Sequence, residues 1–123
     1  MADSGLRAHL DTTDTVHVIT RTADGEERST PIWSVVFDGE PYIRSVDGPD
    51  GFWFRRAIAR GWVAFEVDGE RIESDVEHVQ DAATLAAFDA ALEAKYAGQR
   101  SSVDSMLKDS ARQSTLRLVA RSA

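Results

Sequence analysis

The stretch Thr30–Arg56 decides the fold, and it reads Thr30-Pro31-Ile32-Trp33, then Tyr42-Ile43-Arg44-Ser45, then Gly51-Phe52-Trp53-Phe54-Arg55-Arg56. These 27 residues hold two of the three tryptophans, and three arginines, of a chain that is acidic as a whole. Aromatic planes beside guanidinium groups suit a flat, anionic ligand, including a phosphorylated one. The stretch therefore predicts a fold and a ligand class, and it discloses no reaction.

The composition fits a single globular domain. The chain has 123 residues, 42% hydrophobic and 28% charged, with a formal net charge of −7. This charge argues against steering toward nucleic acid, so no nucleic-acid partner is expected. Cysteine is absent, which excludes disulfides and thiol ligands. No apolar run approaches the roughly 20 residues of a membrane helix, and Met1–Ser4 does not open a secretory signal. We therefore expect a cytoplasmic protein without a membrane partner.

Aspartate–glycine pairs divide the first half of the chain into short strands. Five of the eight glycines follow aspartate, and this pair is typical of hairpin turns because both residues tolerate positive φ. After an N-terminal segment at 1–14, we expect these strands to form a meander over 15–79. Alternating or β-branched sequence between the turns predicts five strands, at 15–22, 28–37, 41–45, 62–67 and 71–79.

Helical spacing replaces strand alternation in the second half. Asp81 is the predicted N-cap of a helix whose apolar residues recur at helical spacing as far as Tyr96. A second, shorter helix is predicted over 102–109, so that helices occupy 81–110. Alternation returns over 115–121 and predicts a strand that closes the sheet. One more short helix is predicted at 52–60, between the third and fourth strands.

Motifs for a metal or a protein nucleophile are missing from the sequence. The histidines stand alone at positions 9, 17 and 78, and no His-Glu-x-x-His occurs, so no metal site is expected. Gly-x-Ser-x-Gly, a P-loop and Gly-x-Gly-x-x-Gly are also absent. The sequence therefore names no catalytic residue and leaves open whether the protein is an enzyme.

The order of these parts resembles the flavin-binding split-barrel superfamily, which includes pyridoxamine-phosphate-oxidase-like and deazaflavin-dependent nitroreductase-like proteins. The resemblance rests on the Thr30–Trp33 hairpin, the Tyr42–Ser45 strand, the glycine-rich loop and the Trp53–Arg56 helix. It covers residues 15–121 and is strongest to small bacterial members of unknown function. It implies a mainly β domain over residues 1–123: a six-stranded antiparallel split barrel with a short helix after strand three and two helices in the C-terminal half.

The resemblance also implies a cofactor site. The cofactor would be FMN or a deazaflavin, bound at the interface of a homodimer. The strand residues would line its isoalloxazine-type ring, and the helix residues would flank its phosphate arm. One turn departs from the family, since Ala23–Glu27 carries acids where deazaflavin enzymes have a Gly-Arg-Lys-Ser-Gly-type turn. The cofactor-binding positions implied are Thr30, Pro31, Trp33, Arg44, Ser45, Trp53, Arg55 and Arg56.

Two functions are compatible with these residues. The first is a flavin- or deazaflavin-dependent oxidoreductase acting on a small organic substrate. The alternative is a non-enzymatic split-barrel module that binds another small anion or a protein partner. Arg44 has two interpretations as well, because a charge within a strand either faces a cavity, where it can hold an anion, or pairs with an acid. Trp33 and Trp53 also have two interpretations, because tryptophan suits packing in the core or at a dimer interface as well as it suits a ligand site.

Overall fold

A computed structural model describes residues 4–120, which form one antiparallel sheet of seven strands, five α-helices and a 3-10 helix at Gly48–Asp50. The strands are β1 Val16–Arg21, β2 Glu27–Ile32, β3 Ser34–Phe37, β4 Glu40–Arg44, β5 Trp62–Val67, β6 Glu70–His78 and β7 Thr115–Ala120. The helices are α1 Ser4–Thr12, α2 Phe52–Arg60, α3 Ala82–Lys95, α4 Arg100–Met106 and α5 Asp109–Arg112.

The two edges of the sheet are neighbours in sequence. The strand order is β2-β1-β5-β6-β7-β4-β3, yet only Trp33 separates the end of β2 from the start of β3. In a flat sheet, six spacings of about 4.8 Å would hold these edges roughly 29 Å apart. A step of two residues spans only about 7 Å. The sheet must therefore curl until its edges meet, which produces the predicted split barrel.

Three details of the predicted fold are wrong. The single strand at 28–37 is divided at Trp33, because its halves belong to opposite edges, and the described sheet has seven strands rather than six. The meander over 15–79 is wrong because β1 pairs with β5, and β4 pairs with β7. The second half has three helices rather than two, since α5 follows α4 as a separate turn. Arg121, the predicted end of the last strand, lies outside the described residues.

Several local predictions are confirmed. Helix α2 covers residues 52–60 as expected and ends at Gly61, whose φ of 75° is the left-handed conformation that glycine favours at a helix end. Helix α3 begins after Asp81, whose carboxylate accepts a hydrogen bond of 2.9 Å from the backbone N–H of Thr84.

The N-terminal segment, for which no element was predicted, contains α1.

Buried side chains form two hydrophobic clusters. The first lies inside the curl of the sheet and includes Trp53 and Phe54 of α2. The second lies beneath α3 and α4 and includes Tyr96 and Met106. Trp53 and Met106 both line the same cavity, so the two clusters flank the candidate site. In the described part of the chain, no helix combines the length and the hydropathy of a membrane span.

Candidate functional site

A cavity of about 540 Å³ opens beside Trp33, at the junction of the two sheet edges. This volume lies within the range of about 300–1,000 Å³ that is usual for small-ligand sites. Six of the eight predicted positions line it: Thr30, Pro31, Trp33, Arg44, Ser45 and Trp53. The two strands and the helix that sequence reasoning grouped are therefore adjacent in space, and whether these residues bind a cofactor stays a prediction.

Trp33 is held in place by Tyr96. The two rings are stacked, with centroids 3.9 Å apart and planes within 5°. The Tyr96 hydroxyl accepts a hydrogen bond of 3.2 Å from the backbone N–H of Ser34 and lies 2.6 Å from the carbonyl oxygen of Asp14, to which it donates. Burial raises the pKa of this phenol to about 12, so it remains a neutral donor at physiological pH. The cavity thus has an indole wall with a fixed orientation.

Arg44 satisfies both interpretations made from the sequence, because it pairs with an acid and also lines the cavity. It is 1% exposed, and its Nη1 donates to Oδ1 of Asp89 at 2.7 Å and to the carbonyl oxygen of Met106 at 2.9 Å. Its Nε donates to the Thr115 hydroxyl at 2.7 Å. The guanidinium carbon lies 3.9 Å from the ring centroid of Phe88. These contacts fix the guanidinium in a single orientation.

One nitrogen of this guanidinium has no acceptor. Among residues 4–120, Nη2 of Arg44 is buried without a hydrogen-bond partner. Burial lowers the pKa of Arg44, although Asp89 opposes that shift, and a guanidinium stays protonated in proteins. A buried, unpaired donor costs free energy that an incoming acceptor would recover. Arg44 therefore gives the wall a guanidinium with one donor that the described residues leave without an acceptor.

The structure does not bring Arg55 and Arg56 to the cavity. Arg55 is exposed on α2, and neither arginine belongs to the wall. Arg56 donates from Nε to the Thr20 hydroxyl at 2.8 Å and so ties α2 to β1. Adjacent residues diverge on a helix, and Trp53 on the same helix takes the position that faces the cavity. A role for these two arginines in phosphate binding remains a prediction without support from the geometry.

Sequence reasoning missed the far wall of the cavity. Gln99, Ser102 and Ser105 line it, and their spacing of three residues places them on one face of α4. This polar stripe beside buried Val103 and Met106 was visible in the sequence, but nothing there connected it with Trp33. The remaining lining residues are Ile32, Val46, Asp47 and Met106.

The cavity has little net charge. In the described part of the chain, the charged side chains that line it are Arg44 and Asp47. Arg44 pairs with Asp89, and it shares this carboxylate with Arg112, whose Nε lies 3.2 Å away. The other polar side chains of the wall are uncharged: hydroxyls, one amide and two indoles. No three His, Asp or Glu side chains of residues 4–120 converge as a metal site would require.

Comparisons with known proteins identify a family and a fold. The profile of DUF2255, described as uncharacterised proteins conserved in bacteria, matches residues 7–118. No functionally curated protein matches the sequence. Among solved structures, the conserved hypothetical protein Rv2991 of Mycobacterium tuberculosis is 20% identical, with a TM-score of 0.73 over 99% of this chain and 82% of that chain.

Two further structures share the architecture. HutZ, the heme storage protein of Vibrio cholerae, is 13% identical, with a TM-score of 0.67 over 100% of this chain and 93% of that chain. A candidate pyridoxamine 5'-phosphate oxidase of Listeria innocua is 9% identical, with a TM-score of 0.65 over 95% and 91% of the two chains. At such identities the similarity establishes the split-barrel fold alone.

Proposed function

Since the chain belongs to the DUF2255 family of uncharacterised bacterial proteins, we propose its function from its site: it binds a flavin-type cofactor beside Trp33 and serves as an oxidoreductase for a small organic substrate. The observation that carries this proposal is Arg44, which lines a cavity with an indole wall and whose buried Nη2 lacks an acceptor among the described residues. A flavin or deazaflavin ring offers both a flat π-face and carbonyl oxygens. The fold supports the same ligand class, since a candidate pyridoxamine-phosphate oxidase shares it.

The residues of the cavity fit the ring portion of such a cofactor. Trp33 would lie against the ring, and Nη2 of Arg44 would donate to a ring carbonyl oxygen. The hydroxyls of Thr30 and Ser45 line the same cavity and can donate or accept hydrogen bonds. When bound, the cofactor supplies hydride transfer. The protein then binds it, orients it and excludes water, and these roles require no nucleophile from the wall.

A titration of the purified protein tests the proposal. Riboflavin, FMN and a deazaflavin are added separately, and the absorbance and fluorescence of each ring are recorded. We expect at least one ring to lose fluorescence on binding. The Trp33→Leu variant should bind that ring about tenfold more weakly, since stacking on an aromatic side chain is worth about 1 kcal/mol or more. Trp62→Leu is the matched control, because Trp62 lies on β5 and does not line the cavity. If no ring binds, the proposal is wrong.

The alternative is a non-enzymatic module that binds a small molecule in the same cavity. The observation that favours it is the wall itself, because Asp47 is its only carboxylate among the described residues and no histidine lines it. Hemin belongs in the same screen, since HutZ is a heme storage protein and Met106, a residue type that can ligate heme iron, lines the cavity. A Soret band on hemin addition, without binding of any flavin, would favour this alternative.

We also propose that the protein is a homodimer, as the resemblance implies. Phe52, the residue before Trp53, is 74% exposed, and Val46 of the cavity wall is 52% exposed. Large apolar groups beside a ligand site are typical of surfaces that a second subunit covers. Light scattering coupled to size exclusion should give about twice the 13.5 kDa mass of the chain. The Phe52→Asp variant should shift the protein toward the monomer.

A further inference from the structure

We infer that the cavity selects an uncharged, unphosphorylated planar heterocycle whose ring carries both a carbonyl acceptor and an N–H donor. The inference rests on the proposed function and narrows its ligand, with riboflavin as the probe for this class and FMN as its phosphorylated counterpart. It differs from the expectation drawn from the sequence, which linked the arginines of Thr30–Arg56 to a phosphorylated ligand.

The charges around the cavity disfavour a phosphorylated ligand. A phosphomonoester bears about −1.5 to −2 charges at pH 7, and phosphate sites usually hold arginine or lysine free to pair with it. Here the one cation of the described wall, Arg44, pairs with Asp89 at 2.7 Å, a carboxylate that it shares with Arg112 at 3.2 Å, and Arg112 also lies 3.9 Å from Asp109. These two acids balance the two arginines. The other charged residue of that wall is the exposed carboxylate of Asp47, so a phosphate would meet an unpaired anion beside a cation that already has a carboxylate partner.

Two arginines near elements of the wall have carboxylate partners. Arg100, next to Gln99 of the wall, pairs with Asp104 at 2.6 Å and lies 3.9 Å from Glu93. Arg112 pairs with Asp89 at 3.2 Å. Asp50 directly precedes Gly51, the N-cap of α2, and a carboxylate at this position favours the positive end of the helix dipole. These carboxylates compete with a phosphate for Arg100, Arg112 and the helix N-terminus.

Two polar groups of the wall indicate what the ligand ring must carry, because one only donates hydrogen bonds and the other only accepts them. Nη2 of Arg44 can only donate, and it lacks an acceptor among the described residues. The Asp47 carboxylate can only accept. A ring that carries a carbonyl and an N–H satisfies both groups without introducing charge. The isoalloxazine ring is such a heterocycle, and it retains these groups whether or not its side chain is phosphorylated.

The test compares two ligands that differ by one phosphate. Quenching of flavin fluorescence gives Kd values for riboflavin and FMN with the full chain, at low salt and at roughly 0.5 M salt, where charge interactions are screened. We expect riboflavin to bind at least about tenfold more tightly than FMN at low salt, with a smaller ratio at high salt. Asp47→Asn should reduce the ratio at least about threefold, chiefly by tightening FMN binding. The control Asp50→Asn removes an exposed acid of the same loop that does not line the cavity, and it should leave the ratio unchanged.

The outcomes separate this inference from the function on which it rests. Equal binding of the two flavins, or tighter binding of FMN, would overturn the inference and leave the proposed function standing. An Asp47→Asn effect no larger than that of Asp50→Asn would also overturn it, since the selection would then not come from the wall. Binding of neither flavin would overturn the inference, and failure of the deazaflavin to bind as well would overturn the proposed function. Both substitutions are at exposed positions, so the variants should fold.

Discussion

The Oδ1 atom of Asp89 lies 2.7 Å from Nη1 of Arg44, and this pair allows a guanidinium to be buried beside the cavity. Asp89 is on α3 and Arg44 ends β4, so the pair also fastens the helix layer to the sheet. The second carboxylate oxygen lies 3.2 Å from Nε of Arg112 on α5. One aspartate therefore holds three elements around the site.

We predict that Asp89→Asn lowers the free energy of unfolding by about 3 kcal/mol, because it leaves a buried guanidinium without a countercharge. Urea denaturation measures the change. Asp104→Asn is the control: Asp104 also pairs with an arginine, but both side chains are about 60% exposed, and the expected loss is below about 1 kcal/mol. Equal losses in the two variants would contradict the prediction, because breaking a buried ion pair should cost more free energy than breaking an exposed one.

Glu27 should make the stability depend on acid pH. Hydrogen bonds from Arg71 and Arg21 lower its pKa from 4.5 to about 2. The unfolded chain takes up this proton near pH 4.5, whereas the folded chain resists it until about pH 2. The contribution of Glu27 is therefore complete above pH 4.5 and lost as the pH falls toward 2.

The Glu27→Gln variant should accordingly show a shallower decrease of unfolding free energy between pH 4.5 and 2, measured by urea denaturation at each pH. Glu26→Gln is the matched control, because Glu26 is 65% exposed and pairs with Arg28 at 2.8 Å outside this cluster. A slope for Glu27→Gln that equals the wild-type slope would contradict the assignment.

Gly48 should tolerate no side chain. Its φ is +68°, and a Cβ atom there would lie 2.5 Å from the carbonyl oxygen of Ser110. We expect Gly48→Ala to lower the free energy of unfolding by about 3 kcal/mol, from backbone strain and overlap together. Gly25→Ala isolates the strain, since its φ is +88° with nothing within 4 Å, and should lose only about 1 kcal/mol. Thermal or urea unfolding that ranks the two equally would refute the close approach.

Lys95 should anchor the N-terminal helix. Its Nζ donates to the carbonyl oxygens of Leu10, Thr13 and Ser34 at 2.7, 3.0 and 2.8 Å. Lys95→Met keeps the apolar stem and removes the donor, so we expect a loss of about 2 kcal/mol in urea denaturation. The chain has one other lysine, Lys108, which is exposed. Lys108→Met should change the stability by less than about 0.5 kcal/mol, and a similar loss in both variants would count against the anchor.

Local pattern was sufficient for most elements of this fold. Three of the five Asp-Gly pairs, at 24–25, 38–39 and 68–69, form hairpin turns as predicted, and the Asp81 cap is present. The pairs at 47–48 and 50–51 instead lie at the two ends of the 3-10 helix, and β5 has four consecutive buried residues, 62–65, in place of the predicted alternation. The division at Trp33 could not be predicted in this way. Residues 28–37 read as one β-branched run, and the separation of its halves to opposite edges results from pairings with β1 and β4 that no local pattern encodes.

The candidate site was predictable to the same extent. Trp33, Arg44 and Trp53 stand out in the sequence because the short stretch Thr30–Arg56 concentrates tryptophan and arginine. Arg55 and Arg56 were named for the same reason, although helix geometry directs them away from the cavity. Asp89 was missed because it is 45 residues from Arg44, and the chain has many acids among which sequence alone cannot choose.

Trp33 joins two strands that belong to opposite edges of the sheet, and it also forms part of the cavity wall. A ligand that packs on this indole therefore restrains the seam of the barrel, the place where the edge strands β2 and β3 meet. Amide hydrogen exchange in β2 and β3 should slow together on ligand addition, although these strands do not pair with each other. The hairpin of β5 and β6 is distant from the seam in the strand order, and its exchange should remain unchanged. Slower exchange in both strands would show that a ligand in the cavity holds the two edges of the sheet together.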